Sequence, residues 1–267
     1  MSQYSPLINV MIAAAQKAGR NLIRDFGEVE HLQVSRKGPG DFVTKADKKA
    51  EKIIFEELRK ARPNYGFLME ENGAIPGNDS SNTWIVDPLD GTTNFLHGIP
   101  QFAVSIGLER DGELFAGVIY EPITDQTYWA EHGKGAYQNN RRLRVSARRD
   151  MTEALFSTGI PFVGYPAEKQ QQFLKELATV MDASCGVRRF GAASLDLAWV
   201  AAGRYEGFWE TGLKPWDMAA GIVMIREAGG FISDMTGKRH MMKSGTIVAG
   251  NDSLHATLLS LLQKSAK

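Results

Sequence analysis

The block Trp84-Ile85-Val86-Asp87-Pro88-Leu89-Asp90-Gly91-Thr92-Thr93 constrains this chain more than any other feature. An apolar run of strand character stops at one carboxylate, a rigid proline follows, and a second carboxylate stands three residues after the first. Gly91-Thr92-Thr93 then turns the chain to where a helix can begin. Acids at the end of a strand, beside a helix start, belong to layered folds whose ligands bind at the carboxyl ends of the strands.

The flanking sequence extends this pattern. Ser5-Pro6 offers an N-cap and a first-turn proline, and Leu7, Val10, Met11, Ala14, Ala18 and Leu22 recur at helical spacing up to Gly27. Gly38, Pro39 and Gly40 predict a mobile loop, after which Thr44-x-x-Asp47 caps a second helix carrying Ala46, Ala50, Ile54 and Leu58. Phe67-Leu68-Met69 before Glu70-Glu71 reads as a strand, and Phe102 to Leu108, Leu114 to Tyr120 and Gln126 to Ala130 read as an antiparallel meander. After about Asp150 strands and helices alternate: Ala154 to Thr158, a helix from Ala167 to Met181, Gly186 to Arg188, a helix from Ala192 to Ala202, Glu206 to Trp209, a helix from Pro215 to Ala228, and Thr246 to Ala249 before a last helix. The expected fold class is α/β, an α+β layered sandwich of alternating helix and sheet layers. With no linker in sight, residues 1–267 are expected to form one unit of two tightly packed halves, approximately 1–150 and 151–267.

Composition narrows the function classes. With 267 residues, 43% apolar and 23% charged, the chain can bury a large core. Its 31 basic residues cancel its 31 acidic ones, so no global field draws it to nucleic acid or to an anionic membrane. The apolar run Leu7 to Ala15 lacks the basic flank of a signal peptide, and nothing approaches the roughly 18 apolar residues of a membrane span. A single cysteine, Cys185, excludes an intrachain disulfide framework and suits a reducing compartment, so a cytoplasmic location is expected.

Four acids carry the chemistry. Glu70, Asp87, Asp90 and Asp217 stand at predicted strand ends or in the first turn of the Pro215 helix. Like charges packed that closely cannot all stay ionised without a cation, and carboxylates without His or Cys point to a hard ion such as Mg²⁺ rather than Zn²⁺. The turn at Gly91-Thr92 would aim free backbone N–H groups at an anion beside it, which suits phosphate. Taken singly, each piece has a plainer reading: Asp-Pro and Asp-Gly are common turns, Glu70-Glu71 a strand end, and Asp217 a helix-dipole partner. Their conjunction favours phosphoryl chemistry.

Other schemes fail on spacing. Six residues after Cys185 stands Gly191, not the arginine of a cysteine-phosphatase loop, and a lone cysteine is expected to be a small core residue. His31, His97, His132, His240 and His255 show no paired ligand spacing, and no phosphate-binding loop of the Walker type occurs. Arg141, Arg142, Arg144, Arg148 and Arg149 form the strongest basic cluster, but without interleaved aromatics a solvated strand edge is the better reading. Trp199, Trp209 and Trp216 are expected in the core.

Together these motifs resemble the inositol monophosphatase family of Mg²⁺-dependent, lithium-sensitive phosphatases. The likeness is carried by Glu70-Glu71, by the twelve residues from Trp84 to Phe95, by Trp216-Asp217 followed by Ala219-Ala220-Gly221, and by Glu227-Ala228-Gly229-Gly230, in that order, and it runs essentially the whole length. Two departures stand out: Met69 where the family usually has glycine, and Ala192-Ala193 where it has Thr-Ala.

The resemblance implies a sugar-phosphatase-type fold, two to three Mg²⁺ ions and roles by position. Glu70, Asp87 and the Leu89 carbonyl would hold a first ion, and Asp87, Asp90 and Asp217 a second, with Glu70 near a third. Thr92, paired with Asp47, would orient the attacking water with Glu70. The Gly91 and Thr92 amides would hold the phosphate, and Asp90, the Ala193 amide and Glu210 would contact the polyol. Lys37 would lie on a loop that moves over the site. The implied activity is hydrolysis of myo-inositol 1-phosphate and similar small polyol phosphates by a homodimer. The rival substrates are fructose 1,6-bisphosphate and 3′-phosphoadenosine nucleotides. A rival of another class is a contact with RNA polymerase or ribosomal RNA, through Arg188-Arg189 or the 141 to 149 cluster.

Overall fold

Helix α1 (Pro6–Phe26) forms where Leu7, Ile8, Met11, Ala14, Ala15, Ala18 and Leu22 line one buried face. The computed structural model describes residues 4–26, 34–38, 41–162 and 164–265, without the side chains of 34–38 and 41–43. Strands β1 (Val34–Gly38) and β2 (Asp41–Thr44) pair antiparallel, so Lys37 stands on a strand; its side chain, and Pro39 and Gly40 of the expected mobile loop, lie outside the described residues. Helix α2 (Lys45–Ala61) starts at a capping box: Thr44 Oγ1 accepts the Ala46 and Asp47 amides, while Asp47 returns an acceptor to the Thr44 amide.

The large sheet follows as β3 (Tyr65–Met69), β4 (Gly73–Ile75) and β5 (Asp79–Asp90), then the short helix α3 (Thr92–Leu96), then β6 (Ala103–Arg110), β7 (Glu113–Glu121), β8 (Gln126–Glu131), β9 (Gly135–Gln138) and β10 (Arg141–Arg142). Its order is β10-β9-β8-β7-β6-β5-β3-β4. Within this sheet only β3 and β5 pair in parallel. Exposed Arg141 and Arg142 form the edge strand expected of the basic cluster, whereas Arg144, Arg148 and Arg149 lie beyond it outside any strand, and Arg148 pairs with buried Glu206 at 3.0 Å. The second half supplies β11 (Leu155–Thr158), α4 (Ala167–Ala183), β12 (Gly186–Arg188), α5 (Ala193–Ala201), β13 (Gly207–Thr211), α6 (Pro215–Glu227), β14 (Phe231–Ser233), α7 (Met241–Ser244), β15 (Thr246–Gly250) and α8 (Leu254–Ser265). Its sheet runs β12-β11-β13-β15-β14.

Helix packing stacks these elements in five layers. Helices α1 and α2 cover one face of the large sheet, α5 and α6 lie between the two sheets, and α4 and α8 cover the outer face of the small sheet. Three buried clusters fill the gaps, and the middle one joins Ile119 and Tyr128 to Leu197, Phe208 and Met218 across the chain's two halves. The small residues of α6 have a spatial reason. At Gly117 of β7 a Cβ would sit 2.7 Å from the Ala220 backbone, and at Gly107 of β6 it would sit 2.8 Å from the Ala219 Cβ. The helix therefore rides directly on the sheet.

Two expectations about packing fail. Cys185 is exposed, because it ends the turn between α4 and β12 instead of facing a core. Trp216 is only half-buried and lines a cavity, and Trp199 is half-buried against the middle core, whereas Trp209 is fully buried as expected.

Candidate active site

Parallel pairing of β3 with β5 builds the first part of the site. Met69 is registered against Val86, so the next residues, Glu70 and Asp87, leave adjacent strand ends together, and the Glu70 amide still donates to Val86 O at 3.2 Å. Strand β5 continues irregularly past Pro88 to Asp90, with a register break against β6 between Asp87 and Asp90. Asp87 closes this step by accepting the Leu89 amide on Oδ1 at 2.9 Å. Gly91 then takes φ +90°, where a side chain is strained, and a Cβ there would meet Gln101 O at 2.8 Å. That turn starts α3, whose first amides, at Thr92 and Thr93, have no acceptor within the helix.

Distant elements complete it. Asp217 stands in the first turn of α6 after Pro215, where its Oδ2 accepts the Lys214 amide at 2.7 Å. Ser105 of β6 donates its hydroxyl to Trp216 O at 3.3 Å, tying the start of α6 to the sheet. Asp90 receives both the amide and the hydroxyl of Ser194 from α5 on its Oδ2, at 2.8 and 2.5 Å. Thr92 Oγ1 lies 3.2 Å from Asp47 Oδ1 and 3.0 Å from Leu89 O, so its single proton goes to one or the other. Thr44 in turn donates its hydroxyl to Asp47 Oδ2 at 2.5 Å.

These elements enclose a cavity of about 480 Å³ whose lining includes Glu70, Asp90, Gly91, Thr92, Ala193, Glu210 and Asp217. Asp87 lies beneath it, 2% exposed. Burial lifts the Asp87 carboxyl well above its ordinary range, and Glu70, Asp90 and Asp217 lift it further. Asp217 is raised in the same way by burial and then by Asp90, while the Lys214 amide opposes the shift. Asp90 is raised to about 6 by burial, against the Ser194 donors. Asp47 also reaches about 6 through burial, and Glu210 about 8 through burial and then the charges of Asp196 and Asp90.

Among the described residues no Lys, Arg or His forms an ion pair with Asp87, Asp90 or Asp217. Nor does any group of three or more His, Cys, Asp or Glu side chains among the described residues stand in a geometry that could hold a metal ion. What the site offers is an all-oxygen set of acids that raise one another's carboxyls, three of which, Asp87, Asp90 and Asp217, have no ion-pair partner among the described residues, and that donor chemistry fits a hard divalent cation. Sequence reading thus brought together Glu70, Asp87, Asp90, Thr92, Ala193, Glu210, Asp217 and Asp47, which the fold does assemble.

It missed others. Glu51 of α2, fully buried, accepts the Glu71 and Asn72 amides at 2.8 and 3.1 Å and Asn72 Nδ2 at 2.5 Å, clamping the turn that follows Glu70. Asp196 lines the cavity, as does Arg189, which the sequence had offered only as part of a contact surface. The available signals were an acid inside the apolar face of α2 and another within the hydrophobic α5 run Ala-Ser-Leu-Asp-Leu-Ala.

The sequence pattern of the inositol monophosphatase family matches residues 3–267. This chain belongs to the inositol monophosphatase family. Among its relatives is the inositol-1-monophosphatase of Mesorhizobium japonicum, 60% identical over 97% of both chains. The Nus factor SuhB of Pseudomonas aeruginosa is 43% identical, covering 97% of this chain and 96% of its own. In three dimensions the chain is similar to the extragenic suppressor protein suhB of Bartonella henselae, with a TM-score of 0.95 and 56% identity over 97% of this chain and 99% of that one. Inositol monophosphatases are generally metal-dependent, which agrees with the donor set of this site. Among the described residues no helix is long and apolar enough to cross a membrane.

Proposed function

We propose that this member of the family is a Mg²⁺-dependent phosphomonoesterase acting on myo-inositol 1-phosphate and related small polyol phosphates. The observation that carries the reading is the set of mutually interacting carboxylates gathered at a cavity beside the Gly91-Thr92 turn, of which Asp87, Asp90 and Asp217 have no ion-pair partner among the described residues. Glu70, Asp87 and the Leu89 carbonyl would hold one ion, Asp87, Asp90 and Asp217 a second, and Glu70 would reach a third. Bound Mg²⁺ supplies positive charge for the phosphoryl and departing oxygens and makes a water acidic enough to ionise near neutral pH.

The protein groups then divide the remaining work. Glu70 and Thr92 Oγ1, the latter held by Asp47, orient the water for in-line attack on phosphorus. The Gly91 and Thr92 amides hold the phosphoryl oxygens at the start of α3. Asp90, the Ala193 amide and Glu210 bind the polyol hydroxyls, and Lys37 adds charge from the β1–β2 hairpin. The reading extends to inhibition by lithium, a homodimer and a cytoplasmic location, which rest on the resemblance and on composition.

Phosphate release with Mg²⁺ across a substrate panel tests it. Turnover of inositol 1-phosphate is expected to exceed that of fructose 1,6-bisphosphate and 3′-phosphoadenosine nucleotides, to vanish with EDTA, and to fall with LiCl but not with KCl. Asp90→Asn and Asp217→Asn should each cost at least about 10 to 100-fold, the loss typical of merely supporting groups around a metal. Retention of half the wild-type turnover in Asp90→Asn would sink the ligand assignment.

A second role, contact with RNA polymerase, is favoured by the similarity to the Pseudomonas protein named a Nus factor. Salt-dependent retention of purified polymerase, measured beside phosphate release, decides it.

A further inference from the structure

Ser194 is a fully buried residue in a helix that has little use for a hydroxyl. Helix α5 opens Ala-Ser-Leu-Asp-Leu-Ala, and all six of these residues are buried. A hydroxyl in such a place costs stability unless it finds a partner, and in a helix the usual partner is the carbonyl one turn back. Ser194 instead donates Oγ–H to Asp90 Oδ2 at 2.5 Å, while its own amide donates to the same oxygen at 2.8 Å. The N-cap of α5, Ala192, supplies no side-chain cap, so the carboxylate of Asp90 serves the open end of this helix.

Two donors to one carboxylate oxygen fill both of its lone pairs and fix the plane of the group. Ser194 lies 104 residues from Asp90 in sequence, and it reaches Asp90 because α5 packs between the two sheets.

We propose that Ser194 is a positioning residue that sets the orientation of Asp90 and, through it, the affinity of the site for its divalent cation. This rests on the metal-dependent reading above. The backbone amides of Ala193 and Gly91 also face this carboxylate, and the Ser194 hydroxyl adds a side-chain donor that ties it to α5. Ser194 touches neither Thr92 nor Glu210, and Asp90, which in the proposed function also contacts the polyol, regains its place once Mg²⁺ is saturating, so the influence of Ser194 is read in metal binding more than in KM.

Ser194→Ala isolates the hydroxyl, since alanine keeps the amide bond to Asp90 and favours the helix. Binding of Mn²⁺ to the substrate-free protein, followed by electron paramagnetic resonance of the free ion, is the first readout. The half-activating Mg²⁺ concentration and the KM for inositol 1-phosphate at saturating Mg²⁺ are the second. Mn²⁺ affinity should fall about tenfold and the Mg²⁺ requirement should rise by a similar factor, the usual effect of losing a group that orients a ligand, with KM changed by less than about twofold. Should the alanine variant fail to fold, Ser194→Cys, near in size but a weak donor, is expected to move both metal constants in the same direction. Unchanged Mn²⁺ affinity, or a KM that rises in step with the metal constants, overturns the proposal. A wild-type chain that binds Mn²⁺ yet releases no phosphate overturns the phosphatase reading and leaves Ser194 to be decided by the Mn²⁺ titration. A wild-type chain that binds no Mn²⁺ overturns both.

Discussion

Thr92 carries two duties through different atoms, and a substitution separates them. In the proposed mechanism its amide holds phosphate while its hydroxyl, within reach of Asp47 and Leu89 O, orients water. Thr92→Ala keeps the amide, so kcat should drop by about 100-fold or more while KM stays within a few fold, as for an interaction realised in the transition state. A change confined to KM would contradict this division. Glu210 gives a second residue-level outcome. Burial in the cavity wall, reinforced by Asp196 and Asp90, holds its carboxyl at about 8 instead of the ordinary 4.5. Between those values the folded chain retains a proton that the unfolded chain has lost, so this residue makes stability fall as pH rises through that window. In EDTA, Glu210→Gln should therefore melt with wild type near pH 4.5 and above it beyond pH 8. An equal offset at both ends would show that Glu210 does not titrate in this way. In activity, the same variant should lower the ratio of kcat/KM for inositol 1-phosphate over glycerol 2-phosphate, since a group that pairs hydroxyls loses its discrimination when altered.

At the scale of elements, α6 is the part whose placement does most for the site. Its first turn holds Asp217, and it reaches that point only because Gly107 and Gly117 leave room for Ala219 and Ala220 against the sheet. Gly117→Ala would place a methyl 2.7 Å from the Ala220 backbone, closer than atoms in contact can stand. The helix must shift, which should cost about 1 to 3 kcal/mol of stability, the usual penalty of overpacking. It should also raise the Mg²⁺ requirement, because Asp217 moves with the helix. Denaturant unfolding with EDTA gives the first effect and Mg²⁺ titration of activity the second. Loss of stability without any change in Mg²⁺ requirement would mean that α6 pivots away from Asp217. Glu51 works similarly from α2, where it clamps the Glu71-Asn72 turn that follows Glu70.

For the molecule as a whole, the five layers put the acids where α2, α5, α6 and the end of the large sheet meet, so metal binding and folding are linked. Asp87 and Asp217 are held above their usual range chiefly by burial, with neighbouring acids adding to the effect. The metal-free chain should accordingly lose stability as pH rises above the ordinary carboxylate range, and Mg²⁺ at pH 8 should raise the melting temperature more than at pH 5. A shift of the same size at both values, measured by scanning calorimetry, would disconnect the acids from the ion. The shared middle core also leads us to propose that residues 1–150 and 151–267 fold as one unit.

Local patterns in the sequence determined a great deal: the capping box at Thr44, the end of β3 before Glu70, the helix start at Pro215 and the meander of β6 to β8 all follow from short-range periodicity and turn chemistry. The family motifs added the acids of the site, since each sits in an unbroken local signature. What local pattern cannot carry is the partner of a buried polar group. Glu51 reads as one more helix acid, Ser194 as a small helix residue and Trp216 as an apolar one, until packing decides what each faces. The same holds for Cys185, whose exposure follows from where α4 ends. Secondary structure depends on neighbours within a few residues, whereas desolvation, shared protons and orientation depend on groups some 20 to 104 positions away, which only the stacked layers bring together.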